Sequence, residues 1–194
     1  MIMVKGFVTI FGRADALSSD FDYNEAFKCA KSLAKKGVTI VNGGYGGIMK
    51  AASKGAYEVN GKSIGVVFLD SKKRKPNIYL SKVIYAKSLF ERQKILLSLA
   101  DAFVAFEPKV GTLSEVTLLL ALKKSGEKLT APLCLVGEKW VKIMNFFKKE
   151  RIISENLLKY VFVFRNSYEA SKTITNFFVE KEDVCEKKRK EHCC

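Results

Sequence analysis

Residues 90–115, FERQKILLSLADAFVAFEPKVGTLSE, form the stretch that decides the fold. The run at 102–106, AFVAF, is short, apolar and rich in aromatic residues, which is typical of a strand covered on both faces. Gly111 and Thr112 then begin a predicted helix, whose unpaired N–H groups and positive dipole end favour an anion such as phosphate. Glu115 follows one turn later, and Arg92 comes from the preceding predicted helix. An anion site beside a carboxylate indicates chemistry on a phosphorylated small molecule.

Strand and helix patterns alternate along the body of the chain. Strands are predicted at 6–11, 38–41, 63–69, 82–86, 102–106, 133–136 and 160–164. Helices are predicted at about 22–37, 48–59, 88–99, 112–124 and 138–152, with a last helix from 168. The alternation predicts a single Rossmann-like α/β domain over residues 1–178, with one doubly wound, mainly parallel sheet and helices on both faces. Residues 179–194 are predicted to form a charged, disordered tail.

Two of the predicted helices carry more specific signals. Asp22 is predicted to cap the first helix, and Glu25, three residues later, completes the pattern of a capping box. The helix at 112–124 is apolar almost all round, so we expect it to be buried.

A ligand cleft is predicted at one edge of the sheet. In doubly wound sheets, ligands bind beyond the carboxyl ends of the strands, where the strand order reverses. Three loops are expected to converge there, at 12–14, 42–47 and 107–112. Two of these loops contain glycines, which allow a backbone to approach a ligand closely.

The chain of 194 residues carries a formal net charge of +14, and the excess lies on its body. The last sixteen residues hold five basic and five acidic side chains, so they are neutral as a group. A basic body attracts phosphorylated metabolites, nucleic acid or an acidic partner, and a solvated, lysine-rich surface is the simpler alternative. Arginine is scarce by comparison, so Arg13 and Arg92 near the predicted cleft are candidate functional cations.

The absence of targeting signals and the cysteine usage predict a cytoplasmic protein. No apolar run reaches the roughly 18 residues that a membrane helix needs, and residues 1–5 lack the layout of a signal peptide. Cys29 and Cys134 fall on predicted core elements, where we expect reduced packing residues. The other three cysteines share the tail with the only histidine, where a metal site or a double-cysteine prenylation signal is only a weak alternative to a chemically idle tail. No metal site is predicted in the body either.

Four sequence features stand in or beside the loops of the predicted cleft. They are VTIFGRAD at 8–15, NGGYGGIMKAASKGA at 42–56, Arg92 nine residues before DAF at 101–103, and GTLSE at 111–115. In the same register, they resemble the VTVFGSAR opening, the TGGGPGIMEAANRGA loop, the catalytic arginine and the PGGxGTxxE signature of the LOG family of phosphoribohydrolases. The resemblance extends over about residues 8–174.

This resemblance implies hydrolysis of the N-glycosidic bond of a nucleoside 5′-monophosphate, a cytokinin riboside monophosphate or AMP, to free base and ribose 5-phosphate. The catalytic residues that it implies are Arg92 and Glu115. The nucleotide-binding residues that it implies are Gly12, Arg13, Gly43, Gly44, Gly47, Met49, Lys109, Gly111 and Thr112. The family further implies no cofactor, no metal, and a homodimer with the 112–124 region near its interface.

The chain departs from the family pattern inside the cleft loops. Glu107, Pro108 and Lys109 replace the Pro-Gly-Gly of the signature. Pro108 removes an N–H donor, while Lys109 supplies a side-chain cation in its place. The remaining departures are Gln93 for the lysine after the arginine, Tyr45 for the third glycine of the second loop, and Arg13 and Asp15 for serine and arginine.

Three classes of function therefore stay open. The first is a nucleotide hydrolase, and the second is a non-catalytic nucleotide- or cofactor-binding protein on the same fold. The third is nucleic-acid binding, which the net charge permits. The basic residues are mostly lysines and no basic strip is interleaved with aromatic residues, so a nucleic-acid partner is the least favoured of the three.

Overall fold

One parallel sheet organises the chain. The computed structural model describes residues 3–69 and 74–191. Within these ranges the strands are β1 (Phe7–Phe11), β2 (Thr39–Asn42), β3 (Ser63–Phe68), β4 (Lys82–Ala86), β5 (Ala102–Ala105), β6 (Leu133–Val136) and β7 (Val161–Phe164). Their order is β4-β3-β2-β1-β5-β6-β7, and every neighbouring pair is parallel. The predicted doubly wound, Rossmann-like α/β fold is confirmed.

Helices cover both faces of this sheet. They are α1 (Phe21–Lys35), α2 (Gly47–Tyr57), α3 (Leu89–Leu99), α4 (Val110–Lys124), α5 (Glu138–Lys149), α6 (Glu155–Leu158) and α7 (Ser167–Glu191). Helices α1, α2 and α7 pack in one apolar cluster, and α3, α4 and α5 pack in a second cluster on the other face. No helix in the described ranges is long and apolar enough to cross a bilayer.

The central strands β1, β2, β5 and β6 divide their apolar side chains between the two clusters by alternation. In β5, Ala102 and Val104 face the first cluster, while Phe103 and Ala105 face the second. All four are fully buried, as expected for a central strand of a parallel sheet. Cys29 and Cys134 are also buried in the first cluster, and burial raises the pKa of both thiols.

The strand order reverses between β1 and β5, which are hydrogen-bonded neighbours. Their following loops must therefore leave the carboxyl edge of the sheet side by side, one toward α1 and the other toward α4. A crevice opens at such a switch point because the two connections run to opposite faces of the sheet. The predicted cleft loops at 12–14 and 107–112 are these two connections.

The predicted capping box at the start of α1 is wrong. Helix α1 begins at Phe21, with Asp20 as the capping residue, and Asp22 lies inside its first turn. The Asp20 carboxylate accepts hydrogen bonds from the guanidinium of Arg13 and the amide of Leu17 instead of from its own helix. A local sequence pattern could not show these two competing donors.

Helix α4 is only half buried, so the prediction of a fully buried helix is wrong for the single chain. Its inward face consists of Thr112, Val116, Leu119, Leu120 and Lys123. The opposite face exposes Ser114, Thr117, Leu118 and Ala121 to solvent. The apolar composition of α4 therefore exceeds what packing within one chain requires.

The tail does not begin at residue 179, because α7 continues without a break to Glu191. Two contacts tie the extended helix to the body. The amide of Lys5 donates to Glu182 over 3.1 Å, and the amine of Lys181 lies 2.7 Å from an oxygen of Asp101. The prediction of disorder is thus wrong for 179–191, while the predictions for His192, Cys193 and Cys194 lie outside the described residues.

Glu25 joins α1 to the start of α7. Its carboxylate is almost fully buried and accepts bonds from the amide and the hydroxyl of Ser167, over 2.7 and 2.8 Å. Burial opposes its ionisation, but these two bonds and Lys28 together keep the pKa of Glu25 below its usual value. Its stabilising contribution is therefore present above the unfolded-state pKa of 4.5 and is lost as the pH falls through the lowered value.

The variant Glu25→Gln is expected to lower the free energy of unfolding at pH 7 by about 1–3 kcal/mol, because a buried charge-assisted bond is lost. The difference from the wild type should shrink below pH 4, where the native carboxyl becomes protonated. Urea denaturation at several pH values measures both effects. Glu58→Gln removes a more exposed carboxylate paired with Lys31, and should change stability by less than about 0.5 kcal/mol. Equal losses in the two variants would contradict the role given to Glu25.

Candidate functional site

A cavity of about 360 Å³ opens at the β1–β5 switch point. Its walls come from the loop after β1, the start of α2, the end of β3, the β3–β4 connection, α3 and the start of α4. The lining residues are Gly12, Arg13, Ala14, Asp15, Tyr45, Met49, Phe68, Arg74, Arg92, Lys109, Gly111, Thr112 and Glu115. Four of these are cations and two are carboxylates, so the cleft is electropositive.

Arg92 is a buried cation on the floor of the cleft. Its Nε donates to the carbonyl of Val66 over 2.8 Å, and its Nη2 donates to the carbonyl of Gly43 over 3.0 Å. The guanidinium also lies over the rings of Tyr45 and Phe68, at 5.8 and 5.5 Å from their centres. These contacts hold the planar group in one orientation. Burial lowers the pKa of Arg92, with a smaller opposing effect from Glu115, and an arginine remains charged nonetheless.

Glu115 faces Arg92 from the second turn of α4. Its Oε1 lies 4.0 Å from Nη1 of Arg92, the one guanidinium nitrogen that no backbone carbonyl of the described chain engages. The side chain is 14% exposed, and burial raises its pKa to about 7, although Arg92 acts in the opposite direction. At neutral pH this carboxyl group exchanges a proton readily, which suits a general acid or base.

The first turn of α4 presents free backbone donors to the same cavity. Lys109 is the capping residue, in extended conformation, and no side chain caps the helix. Gly111 and Thr112 follow it and line the cleft. A Cβ added to Gly111 would meet no atom within 4 Å, so the approach to the amides is open. Unpaired amides at a helix start favour an anion.

Two of the residues that replace the Pro-Gly-Gly of the signature, Lys109 and Glu107, lie at different sites. Lys109 lines the cleft, where it adds a cation beside the helix start. Glu107 turns away to a neighbouring hollow, where it pairs with Lys139 and lies against Asp22. Burial and the closeness of Glu107 raise the pKa of Asp22 to about 6. The acidic replacement therefore leaves the anion end of the cleft free of its charge.

Arg13 and Asp15 form the rim of the cleft on the β1 side. Nη2 of Arg13 bonds Asp20, and Nη1 lies 3.4 Å from an oxygen of Asp15. The other oxygen of Asp15 lies 3.9 Å from Nζ of Lys109, across the mouth. Nε of Arg13 is buried and has no hydrogen-bond partner among the described residues. At the rim, the carboxylate of Asp15 therefore lies between two cations, Arg13 and Lys109.

Three of the predicted ligand-binding glycines lie behind the wall of the cleft and do not line it. A side chain at Gly43 would collide with the guanidinium of Arg92, so this glycine makes room for the cation. Gly44 has a φ of 78° and donates its amide to the side chain of Asn42 over 2.8 Å. Gly47, with a φ of 58°, leaves no space for a Cβ beside the backbone of Arg13 and Ala14. Their role here is to shape the loop.

The structure gathers the other eight predicted site residues around one cavity: Gly12, Arg13, Met49, Arg92, Lys109, Gly111, Thr112 and Glu115. Asp15 and Tyr45 stand in or beside the predicted cleft loops but are not among the predicted ligand-binding residues, and the sequence did not point to Phe68 or Arg74. Tyr45 could have been found from the sequence, because it is a large residue in a loop of glycines. Its hydroxyl accepts a hydrogen bond from the amide of Phe68 over 2.8 Å. Phe68 and Arg74 come from the end of β3 and the connection after it, which the three-loop argument left out.

Comparison with known proteins gives one sequence relative with a partial match. A protein of Archaeoglobus fulgidus, described as uncharacterized, is 30% identical over 115 residues, which is 59% of this chain and 75% of the relative.

Solved structures with the same fold cover nearly the whole chain. A molybdenum cofactor binding protein of Rippkaea orientalis has a TM-score of 0.72 and 21% identity, over 90% of this chain and 98% of its own. The molybdenum cofactor carrier protein of Chlamydomonas reinhardtii has a TM-score of 0.71 and 23% identity, over 89% and 97%. DNA processing protein A of Helicobacter pylori, solved for its single-stranded DNA binding mode, has a TM-score of 0.60 and 17% identity, over 90% and 82%. At these identities the likeness shows the shared fold alone.

A family model, that of the SLOG cluster4 family, matches residues 5–158, which is most of the chain and includes every lining residue of the cleft. The match supports the LOG-like, Rossmann-type character that the motifs indicated. It does so for the SLOG superfamily as a whole and not for the LOG family itself. The chain belongs to the SLOG cluster4 family.

Proposed function

We propose that the chain is a binding protein for a small phosphorylated heterocycle, either a nucleotide or a phosphorylated cofactor. The observation that carries this proposal is one cavity in which Lys109, Arg13 and the uncapped start of α4 converge. Its volume of about 360 Å³ lies at the small end of the roughly 300–1,000 Å³ usual for ligand pockets.

The lining of the cleft combines two kinds of chemistry, which supports a ligand with two unlike parts. The anion end holds the donors of α4 and the amine of Lys109. The other wall offers Met49, Tyr45 and Phe68, which are apolar or aromatic and suit a flat ring. A phosphate on one side and a heterocycle on the other would satisfy both ends.

The structural neighbours that bind molybdenum cofactor support a carrier role on this fold. The lining of the cleft contains neither cysteine nor histidine, and the two cysteines whose side chains are described are buried in the core. Soft thiolate ligands for a metal are therefore missing from the described lining. A phosphorylated cofactor would be held here through its phosphate and its ring system.

The variant Lys109→Ala is expected to weaken AMP binding about 10-fold, because a charge-assisted bond to the phosphate is removed. Adenosine, which lacks the phosphate, should bind the wild type far more weakly than AMP does. Isothermal titration calorimetry measures both. Lys31→Ala is a matched control, since Lys31 does not line the cleft and pairs with one acidic partner, Glu58, and it should leave the affinity unchanged. Equal affinity for AMP and adenosine would contradict the proposed anion end.

A second candidate function, hydrolysis of a nucleoside 5′-monophosphate, is favoured by one specific observation. Glu115 has a pKa of about 7 and faces a fixed guanidinium inside the cavity. In the reaction, the oxygen of water bonds to C1′ of the ribose while the C1′–N bond to the base breaks. Glu115 would take one proton from the water, and that proton would leave with the base. Arg92 would keep the carboxylate and the ribose oriented.

If Glu115 acts as the base, adenine release from AMP should rise with pH and pass through half of its maximum near pH 7, because only the ionised form accepts a proton. Glu115→Gln should abolish release while AMP still binds. Chromatography of the freed base follows the reaction. AMP binding without adenine release in the wild type would leave the binding function standing and overturn the hydrolytic one.

The raised pKa of Glu115 also predicts a pH-dependent stability. A carboxyl whose folded-state pKa lies above its unfolded value favours folding at low pH, and this contribution is lost as the pH rises through about 7. Relative to the wild type, Glu115→Gln should therefore gain up to about 3 kcal/mol in unfolding free energy between pH 5 and pH 8. Urea denaturation tests this independently of any ligand.

We also infer a homodimer that covers the exposed side of α3 and α4. A groove there is lined by Phe90, Leu97, Leu118 and Leu122, and Phe90 is 82% exposed. Lysines and a glutamate flank the groove, so two copies related by a two-fold axis would meet with opposite charges at the rim. Leu118 and Ala121 on the exposed face of α4 would then be covered.

Light scattering should give the mass of two chains for the wild type and of one chain for Phe90→Glu. The charge would be buried in the interface of the dimer but fully hydrated in the monomer, where the residue is exposed. Tyr168→Glu, at another exposed aromatic on α7, should stay dimeric. A monomeric wild type would refute the dimer.

A further inference from the structure

The mouth of the cleft contains a carboxylate that is already bound to the cations of the site. One oxygen of Asp15 lies 3.4 Å from Nη1 of Arg13, and the other lies 3.9 Å from Nζ of Lys109. The two cations come from opposite sides of the switch point, the loop after β1 and the start of α4. Asp15 therefore bridges the two walls between which a phosphate would enter.

Among the guanidinium nitrogens of Arg13, Nη1 is the one that pairs with Asp15. Nη2 is held by Asp20, and the buried Nε has no partner among the described residues. Asp15 itself is 68% exposed, so its position is not imposed by packing. Its pKa is lowered, first by a backbone hydrogen bond within its own residue and then by Arg13 and Lys109, so it is ionised at neutral pH.

We propose that Asp15 is a built-in competitor of the ligand, whose carboxylate pairs with Arg13 and Lys109 at the mouth of the cleft and must be displaced from them by the incoming phosphate. This inference rests on the proposed binding function and specifies how the affinity of that site is set. Because the Asp15 carboxylate is part of the chain, its local concentration at the site is constant. It therefore weakens the binding of every phosphate ligand by the same factor.

The size of the effect follows from the exposure of the ion pairs. Exposed pairs contribute little, so the removal of this competitor should tighten phosphate binding by roughly 3- to 10-fold. Exposed charges are also screened by salt, with a Debye length of about 10 Å at 0.1 M. The gain should therefore be largest at low ionic strength and should fall toward nothing near 0.5 M salt.

The test compares the wild type with Asp15→Asn, which keeps the shape of the side chain and removes its charge. Dissociation constants for AMP and for inorganic phosphate are measured by calorimetry at low and high salt. We expect tighter binding of both probes by the variant at low salt. Glu58→Gln removes one negative charge from an exposed ion pair elsewhere, so it controls for the change in net charge and should bind as the wild type does.

A double-mutant cycle identifies the group for which Asp15 competes. In a Lys109→Ala background, one of the two ion pairs of Asp15 is already absent. The gain from Asp15→Asn should therefore shrink to less than half of its value in the wild-type background. An undiminished gain would show that Asp15 repels the ligand from a distance, which would overturn the displacement model.

The remaining outcomes separate this inference from the proposed function. If the wild type binds AMP and Asp15→Asn binds it equally well or more weakly, the competitor is refuted while the binding function stands. If neither protein binds AMP or phosphate at millimolar concentration, both proposals are refuted. Binding by Asp15→Asn alone would support both, because the competitor would then mask the site in the wild type.

Discussion

The site depends on one buried cation that is tied to the backbone. Arg92 donates to the carbonyls of Val66 and Gly43, which belong to the end region of β3 and the loop after β2. Placing a charge below the protein surface is costly unless its donors are satisfied, and these carbonyls satisfy two of them. Gly43 must then be a glycine, since any side chain would occupy the place of the guanidinium. The path of the second loop, the position of α3 and the environment of Glu115 all follow from this arrangement.

The sheet could be read from the sequence because each central strand is a short apolar run with clear ends. The strand β6, Leu133–Val136, matches its predicted bounds, and β5 ends one residue earlier than expected. The pairing of Arg92 with Glu115 was also within reach, since α3, β5 and α4 form one crossover whose ends meet at the same edge. Hydrophobic periodicity and the rules for connections predict such features, because both depend on residues that are close together in the chain.

The errors of the sequence reasoning have a common physical cause in long-range contacts. Asp20 and not Asp22 stands at the start of α1, and its carboxylate is engaged by Arg13 and Leu17 rather than by the helix. The helix α7 extends past 179 because Lys5 and Asp101 hold its polar side chains. Glycines in a loop predict that another group lies close to the backbone. They do not show whether that group is a ligand or, as at Gly43, the guanidinium of Arg92. The direction of the Glu107 side chain likewise could not be read from the sequence, because it depends on Lys139, 32 residues away.

Gly111 is a glycine that the packing and backbone of its own helix do not require. The residue lies in the first turn of α4, has no neighbour that forbids a methyl group, and has no unusual backbone angle. Alanine favours a helix over glycine by up to about 1 kcal/mol, so folding alone would select alanine at this position. A chain freed from the need to admit a ligand would be expected to drift to alanine here. The identity of this one residue across related sequences is therefore a record of whether the cleft is in use.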